Sequence, residues 1–295
     1  MLYFLLFCWI IAFASVPLSE RIVEWLNIAP ILSIMAVRYI VGIFVPFLVY
    51  LLLTRQTPKE VLPWAPFSLP NISYVIVVSF CLFPLVYLVA IVTSFIFAPL
   101  TLPFDITETP AWASLVAIGV LPSIFEELWF RGVLYREYKG VPVKTTAIIT
   151  GLFFGVWHMN FHQAIYAALL GIMMTYLVYF TRTILAPILM HFIINSLGTL
   201  SLYSGSLIYH YNTLRENFVM YLIVIGGLCV ISTFIMVVCF KKLKAHHALD
   251  AGRLNEAEAE AEAAPRPKVL TGKFWGVMIT AFIGMFIMEM MLRSL

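Results

Sequence analysis

Two adjacent glutamates, Glu126 and Glu127, sit inside an otherwise apolar run: Leu121-Pro122-Ser123-Ile124-Phe125-Glu126-Glu127-Leu128-Trp129-Phe130-Arg131. His158, His191 and Asn195 lie inside other apolar segments. An ionisable side chain in hydrocarbon costs at least ~2.5 kcal/mol, so such groups persist there where they have a partner or a job. Glutamate and histidine are the common carriers of protons in catalysis. Asn amides and His ring N–H groups can donate to developing negative charge. Together these residues suggest a polar reaction centre within a bilayer.

Spacing sorts them further. Glu127 and Arg131 stand at i,i+4 with the glutamate first, the favourable order for an ion pair on one helix face. Glu126 and Glu127 point about 100° apart around a helix of 3.6 residues per turn. One carboxylate can therefore be neutralised by Arg131 while the other faces a cavity, and spacing alone leaves open which does which. His191 and Asn195 are also at i,i+4 and share one face. Glu126 and His158 flank the Gly140-Val141-Pro142 turn, and at 1.5 Å per residue both stand about 21–25 Å from it. His191 and Asn195 stand about 13 and 19 Å from the turn at Arg182. An antiparallel hairpin plus a third helix would bring all four into one layer of the membrane.

The elements that must position them are transmembrane helices. The chain has 295 residues, of which 62% are hydrophobic, against about half in a soluble domain. Its mean hydropathy is +0.99. A spanning helix needs about 20 mostly apolar residues. The expected fold class is all-α: a polytopic helical bundle of eight or nine spans, read as 1–17, 31–53, 72–98, 112–136, 142–159, 162–180, 184–203, 218–240 and 274–292. The whole chain, 1–295, is expected to form a single membrane domain, with the chemistry in its 112–203 core. Residues 1–17 contain Ala12-Phe13-Ala14, which looks like a signal-peptide cleavage site, but no positive n-region precedes it, so an uncleaved span is expected.

Loops rich in Lys and Arg (54–71, 137–144, near 181–183, and 241–273) alternate with loops poor in them. By the positive-inside rule this puts the N-terminus in the cytoplasm and the C-terminus outside. The stretch 241–273, with its Ala/Glu centre, is expected to be a charged cytoplasmic linker before the last span. The net charge of +3 and the lack of a basic stripe with interleaved aromatics argue against a nucleic-acid partner. Cys8, Cys81, Cys229 and Cys239 show no C-x-x-C spacing, so neither a disulfide framework nor structural zinc is expected.

The residues also match a known pattern. Glu126-Glu127-x-x-x-Arg131, then Phe154-x-x-x-His158, then His191-x-x-x-Asn195 resemble the three motifs of the CPBP family, the CAAX protease and bacteriocin-processing (Abi) membrane proteins. Phe130-Arg131-Gly132 and Ala186-Pro187-Ile188-Leu189-Met190 extend the likeness, which covers about residues 112–203. The resemblance implies an intramembrane endopeptidase related to the Rce1-type prenyl-protein proteases, acting on a peptide or protein substrate at a membrane. By that resemblance Glu126 activates water with help from His158. His191 and Asn195 line an oxyanion hole, while Glu127, Arg131 and Phe154 support the site. A bacterial cell membrane is the expected location.

No cofactor is expected, although two His and one or two Glu could bind zinc with an open position. There is no H-E-x-x-H pattern, and the ligands would come from three helices. A non-proteolytic scaffold or bacteriocin-immunity factor is the runner-up function. A transporter or proton relay comes third, since no inverted repeat supports it. His162 is read as interfacial. Arg38 is expected to snorkel or to pair with a helix neighbour, and Glu289 with Arg293 to form an interfacial pair. Trp129 could wall the cavity or simply pack.

Overall fold

The computed structural model describes residues 30–97, 108–138, 140–205, 216–251 and 271–294. The expected first span, 1–17, falls outside the described residues, as does the centre of the 241–273 stretch.

Within the described residues the fold is helical throughout, apart from one isolated bridge between Trp64 and Thr183. The helices are α1 (Ile31–Thr54), a short α2 (Pro58–Val61), α3 (Leu69–Ser94), α4 (Ala111–Glu137), α5 (Val143–Trp157), α6 (Phe161–Thr181), α7 (Leu185–Tyr203), α8 (Phe218–Ala251) and α9 (Gly272–Ser294). Seven of these are long and apolar enough to cross a membrane. The protein is an integral membrane protein.

Two helices differ in length from the sequence reading. The span expected over 142–159 is a helix of 15 residues, about 22 Å long and short of the ~30 Å hydrocarbon core. It stops because Met159 takes a left-handed conformation, φ 52°. Asn160 then caps the next helix, accepting a hydrogen bond from Gln163 N at 3.0 Å. The eighth helix, expected to end at 240, continues to Ala251.

Helix α4 departs from α-geometry twice. It runs as π-helix over Leu115–Val120 and again over Leu128–Leu134, and α1 does so over Ile40–Phe44. Two of these segments come just before prolines, Pro46 and Pro122, where a missing N–H already weakens the ladder. The π segments bracket Glu126 and Glu127, and such wide turns often mark functional sites.

Helices α5 and α6 pack face to face through small residues. A Cβ on Gly155 would stand 2.6 Å from Ala164 O, and one on Gly151 2.8 Å from Ala168 O. Close approach of this kind is how helices associate in lipid, where no hydrophobic drive separates them from the solvent.

The loops at 54–71 and 181–184 meet on one side of the bundle. Ala65 N donates to Arg182 O at 3.0 Å, and Ile184 N donates to Pro63 O at 2.8 Å. Arg136 Nη1 donates to Gln56 Oε1 at 3.0 Å, which ties the end of α4 to the same corner. Leu62 in this corner packs against Gly132, where a Cβ would come within 2.5 Å of Leu62 Cδ2. A larger residue at 132 would have to turn the Leu62 side chain aside.

Candidate active site

Glu127 and Arg131 are fully buried, and Glu126 and His191 nearly so. Arg131 Nη1 lies 3.1 Å from Glu127 Oε1 and 3.0 Å from Oε2. Arg131 Nη2 donates to Gly171 O on α6 at 2.8 Å. The guanidinium carbon sits 4.8 Å from the Phe154 ring centroid, within range of a cation–π interaction. Arg131 is thus enclosed by α4, α5 and α6, and its charge is balanced on its own helix.

Glu127 has a second partner that spacing did not reveal. His191 Nδ1 lies 2.9 Å from Glu127 Oε1. Beside Arg131 the carboxylate is an acceptor, so His191 Nδ1 carries the proton and donates it. The other ring nitrogen, Nε2, then carries a lone pair when the ring is neutral. It points toward Glu126, with Nε2 4.0 Å from Oε2.

Glu126 divides its two oxygens between different environments. Oε1 accepts from the Tyr39 hydroxyl of α1 at 2.9 Å. Oε2 is buried and makes no hydrogen bond among the described residues.

His158 caps the C-terminal end of α5. Its Nδ1 donates to Phe154 O at 2.8 Å, because a carbonyl only accepts. Nε2 is left as the ring's free face, and the ring lies within electrostatic range of Glu126 and His191. Phe154 is the hub of the second motif. Its carbonyl fixes His158, and its ring stands edge to face with His158 at 5.0 Å and with His191 at 5.6 Å.

Asn195 Nδ2 donates to Ile118 O at 2.9 Å. Ile118 lies four residues before Pro122, in the π segment of α4. Pro122 brings no N–H just where the helix returns from π to α hydrogen bonding. That turn therefore has one backbone donor fewer, and a donor lost in hydrocarbon is costly. Ser123 Oγ supplies one to Val120 O at 2.9 Å, and Asn195 supplies one to Ile118 O. Asn195 has a second N–H on the same nitrogen.

Six of the seven expected site residues meet around the two glutamates, with Phe154 as their wall. Asn195 reaches the same helix about two turns before Glu126, through the backbone carbonyl of Ile118. Tyr39 and the Glu127–His191 link were missed. The available signal for Tyr39 was its place next to Arg38 within an apolar run.

The other expected polar residues lie elsewhere. His162 Nδ1 is 3.0 Å from Thr93 Oγ1. Glu289 Oε1 accepts from Arg293 Nε at 2.7 Å. Trp129 Nε1 donates to Ile43 O at 3.0 Å, so Trp129 locks α4 to α1. Cys81, Cys229 and Cys239 are free thiols. Among the described residues, no group of three or more His, Cys, Asp and Glu is arranged to hold a metal ion.

Residues 107–197 match the Rce1-like family model, described as type II CAAX prenyl endopeptidase Rce1-like. The match spans all three motifs and agrees with the CPBP resemblance. It supports a CAAX-type intramembrane protease kind of function. No curated protein and no solved structure matches the chain.

Proposed function

We propose that this protein is an intramembrane endopeptidase that uses Glu126 to activate water against a peptide bond of a membrane-associated protein or peptide. The observation that carries this reading is the 4.0 Å separation of Glu126 Oε2 and His191 Nε2. That gap is too long for a direct hydrogen bond, and a single oxygen about 2.8 Å from each atom would subtend an angle of about 90° there. A water in that position has an acceptor for its proton on the Glu126 side.

The proposed steps follow from the contacts. The water oxygen attacks the carbonyl carbon as its proton passes to Glu126. His158, whose Nε2 is the open side of its ring, assists in handling that proton. The tetrahedral oxyanion needs donors. The second N–H of Asn195 is one. His191 becomes a donor through Nε2 when protonated, with Glu127 balancing the imidazolium at Nδ1. As the tetrahedral intermediate collapses, the C–N bond breaks and Glu126 returns the proton to the departing nitrogen. The products are a carboxylic acid and an amine, and the acid's proton passes to the amine to leave a carboxylate and an ammonium. No step is assigned to a metal ion.

The family description points to substrates with a prenylated C-terminal Cys-aliphatic-aliphatic-X tail, and such a tail is the proposed substrate class. The proposed orientation puts the corner formed by 54–71, 137–144 and 181–184 in the cytoplasm, following its Lys and Arg.

The test uses purified protein in proteoliposomes and an internally quenched peptide ending in a farnesyl-cysteine tail, with an unprenylated twin as comparison. Wild type should cleave the prenylated peptide faster, and Glu126→Gln should lose at least ~1,000-fold. A Glu126→Gln protein that inserts normally and cleaves at the wild-type rate refutes the assignment.

A further inference from the structure

The matched family segment begins at residue 107, yet one contact to Glu126 comes from far upstream. Tyr39 ends the α-helical first part of α1, directly before the π segment Ile40–Phe44. Its hydroxyl donates to Glu126 Oε1 at 2.9 Å. Its ring stacks on Phe125, with centroids 6.0 Å apart and planes 15° from parallel. Phe44 meets the same Phe125 ring edge-on at 5.7 Å. Trp129 Nε1 bonds to Ile43 O one turn further along. Four contacts therefore fix α1 against the helix that carries the glutamates.

The terminal torsion of a glutamate is broad and roughly two-fold, so packing of the stem alone does not choose which oxygen points where. A directional donor on one oxygen does. We infer that Tyr39 is a positioning residue: its hydroxyl holds Oε1 of Glu126, so that Oε2 faces His191 Nε2 and alone receives the water proton. This inference rests on the proposed role of Glu126 as the base.

The charged and titratable groups around that carboxylate come from every neighbouring element. They are Glu127 and Arg131 on α4, His158 on α5, His191 on α7 and Tyr39 on α1. Arg38 adds a positive charge within range of Tyr39 and His158. Among these, Tyr39 gives Glu126 its one direct hydrogen bond among the described contacts.

Two measurements on Tyr39→Phe, which keeps the ring on Phe125, test the inference. The first is cleavage of the farnesylated peptide. Losing a hydrogen bond to a charged group should lower kcat by about 10- to 100-fold, with KM within about two-fold because the substrate itself loses no contact. The second does not depend on activity. N,N′-dicyclohexylcarbodiimide enters the bilayer and reacts with neutral carboxyl groups, and a phenol donor favours the carboxylate. Labelling of Glu126, mapped by mass spectrometry, should be at least about 3-fold faster in Tyr39→Phe than in wild type.

Unchanged labelling overturns the inference, whatever happens to kcat. A raised KM with an unchanged kcat overturns it too. If wild type leaves the peptide intact, the proposed activity on that substrate fails, and labelling still decides the role of Tyr39. Should Tyr39→Phe not insert, Tyr39→Gln, which keeps a donor, is compared with Tyr39→Leu. Slower labelling of the glutamine variant supports the inference, and equal labelling overturns it.

Discussion

Glu127 Oε1 accepts from His191 Nδ1 at 2.9 Å and from Arg131 Nη1 at 3.1 Å. One buried oxygen therefore serves a cation on its own helix and an imidazole on α7. The arrangement separates the duties of the two glutamates. Glu127 is held by Arg131 and His191, whereas the Oε2 of Glu126 faces His191 Nε2 across 4.0 Å.

That separation predicts opposite failures. Glu127→Gln leaves Arg131 buried without a counter-charge, and breaking a buried pair this way costs about 3–5 kcal/mol. Glu127→Gln and Arg131→Ala should both lower the thermal midpoint in detergent and aggregate on size exclusion. Glu126→Gln should elute and melt like wild type while losing cleavage. If Glu127→Gln proves as stable as wild type, the ion pair is not what holds α4 in place.

The α5–α6 interface makes a second prediction. A Cβ on Gly155 would stand 2.6 Å from Ala164 O and 2.9 Å from Ala168 Cβ. The obstacle includes backbone, so the helices must separate, and overpacking of this kind costs about 1–3 kcal/mol. Phe154 and His158 sit on the displaced helix, so Gly155→Ala should lose both stability and activity. A Cβ on Gly198 meets nothing within 4 Å, and Gly198→Ala should match wild type in both. Equal behaviour of the two variants would remove the close-packing argument.

Much of this site was legible because helices repeat. The i,i+4 rule found Glu127 with Arg131, and counting from Gly140 brought His158 to the depth of Glu126. The same rule set Asn195 beside His191 on one face. Phe154 was legible only as part of a motif; its carbonyl and ring contacts give it a physical reason. The Glu127–His191 link joins residues 64 apart in the chain, and the Tyr39–Glu126 link joins residues 87 apart. Helix periodicity carries no information at those separations. The π segments were invisible as well. Each is set by one extra residue per turn, and the prolines after two of them are the only trace in the sequence.

Chelation gives a third prediction. Oε1 of Glu127 is taken up by two N–H donors, and Nδ1 of His158 by Phe154 O. The site chemistry proposed above runs on proton transfer between side chains. Cleavage by wild type should stay within about two-fold after treatment with 1,10-phenanthroline and dialysis, whereas a zinc-bound water would be lost with its ion. A loss above about ten-fold that zinc restores would move the chemistry to a metal.

The last prediction concerns why Asn195 stands where it does. Its Nδ2 donates to Ile118 O at 2.9 Å, and an ordinary residue at 122 would place its own N–H four residues on from that carbonyl. Asn195→Ala should therefore do two kinds of damage. It takes the Asn195 donor away from Ile118 O in the bilayer, and it removes the proposed oxyanion donor. Pro122→Ala returns a backbone N–H to the first defect and cannot touch the second. In the double variant the thermal midpoint should recover by an amount matching roughly 1 kcal/mol, the worth of one hydrogen bond. The turnover number should stay low. Full additivity of the two substitutions in stability, with no coupling in the cycle, would show that Asn195 does not stand in for the missing N–H. Recovery of turnover along with stability would show that Asn195 acts only by holding α4, and would take it out of the oxyanion hole.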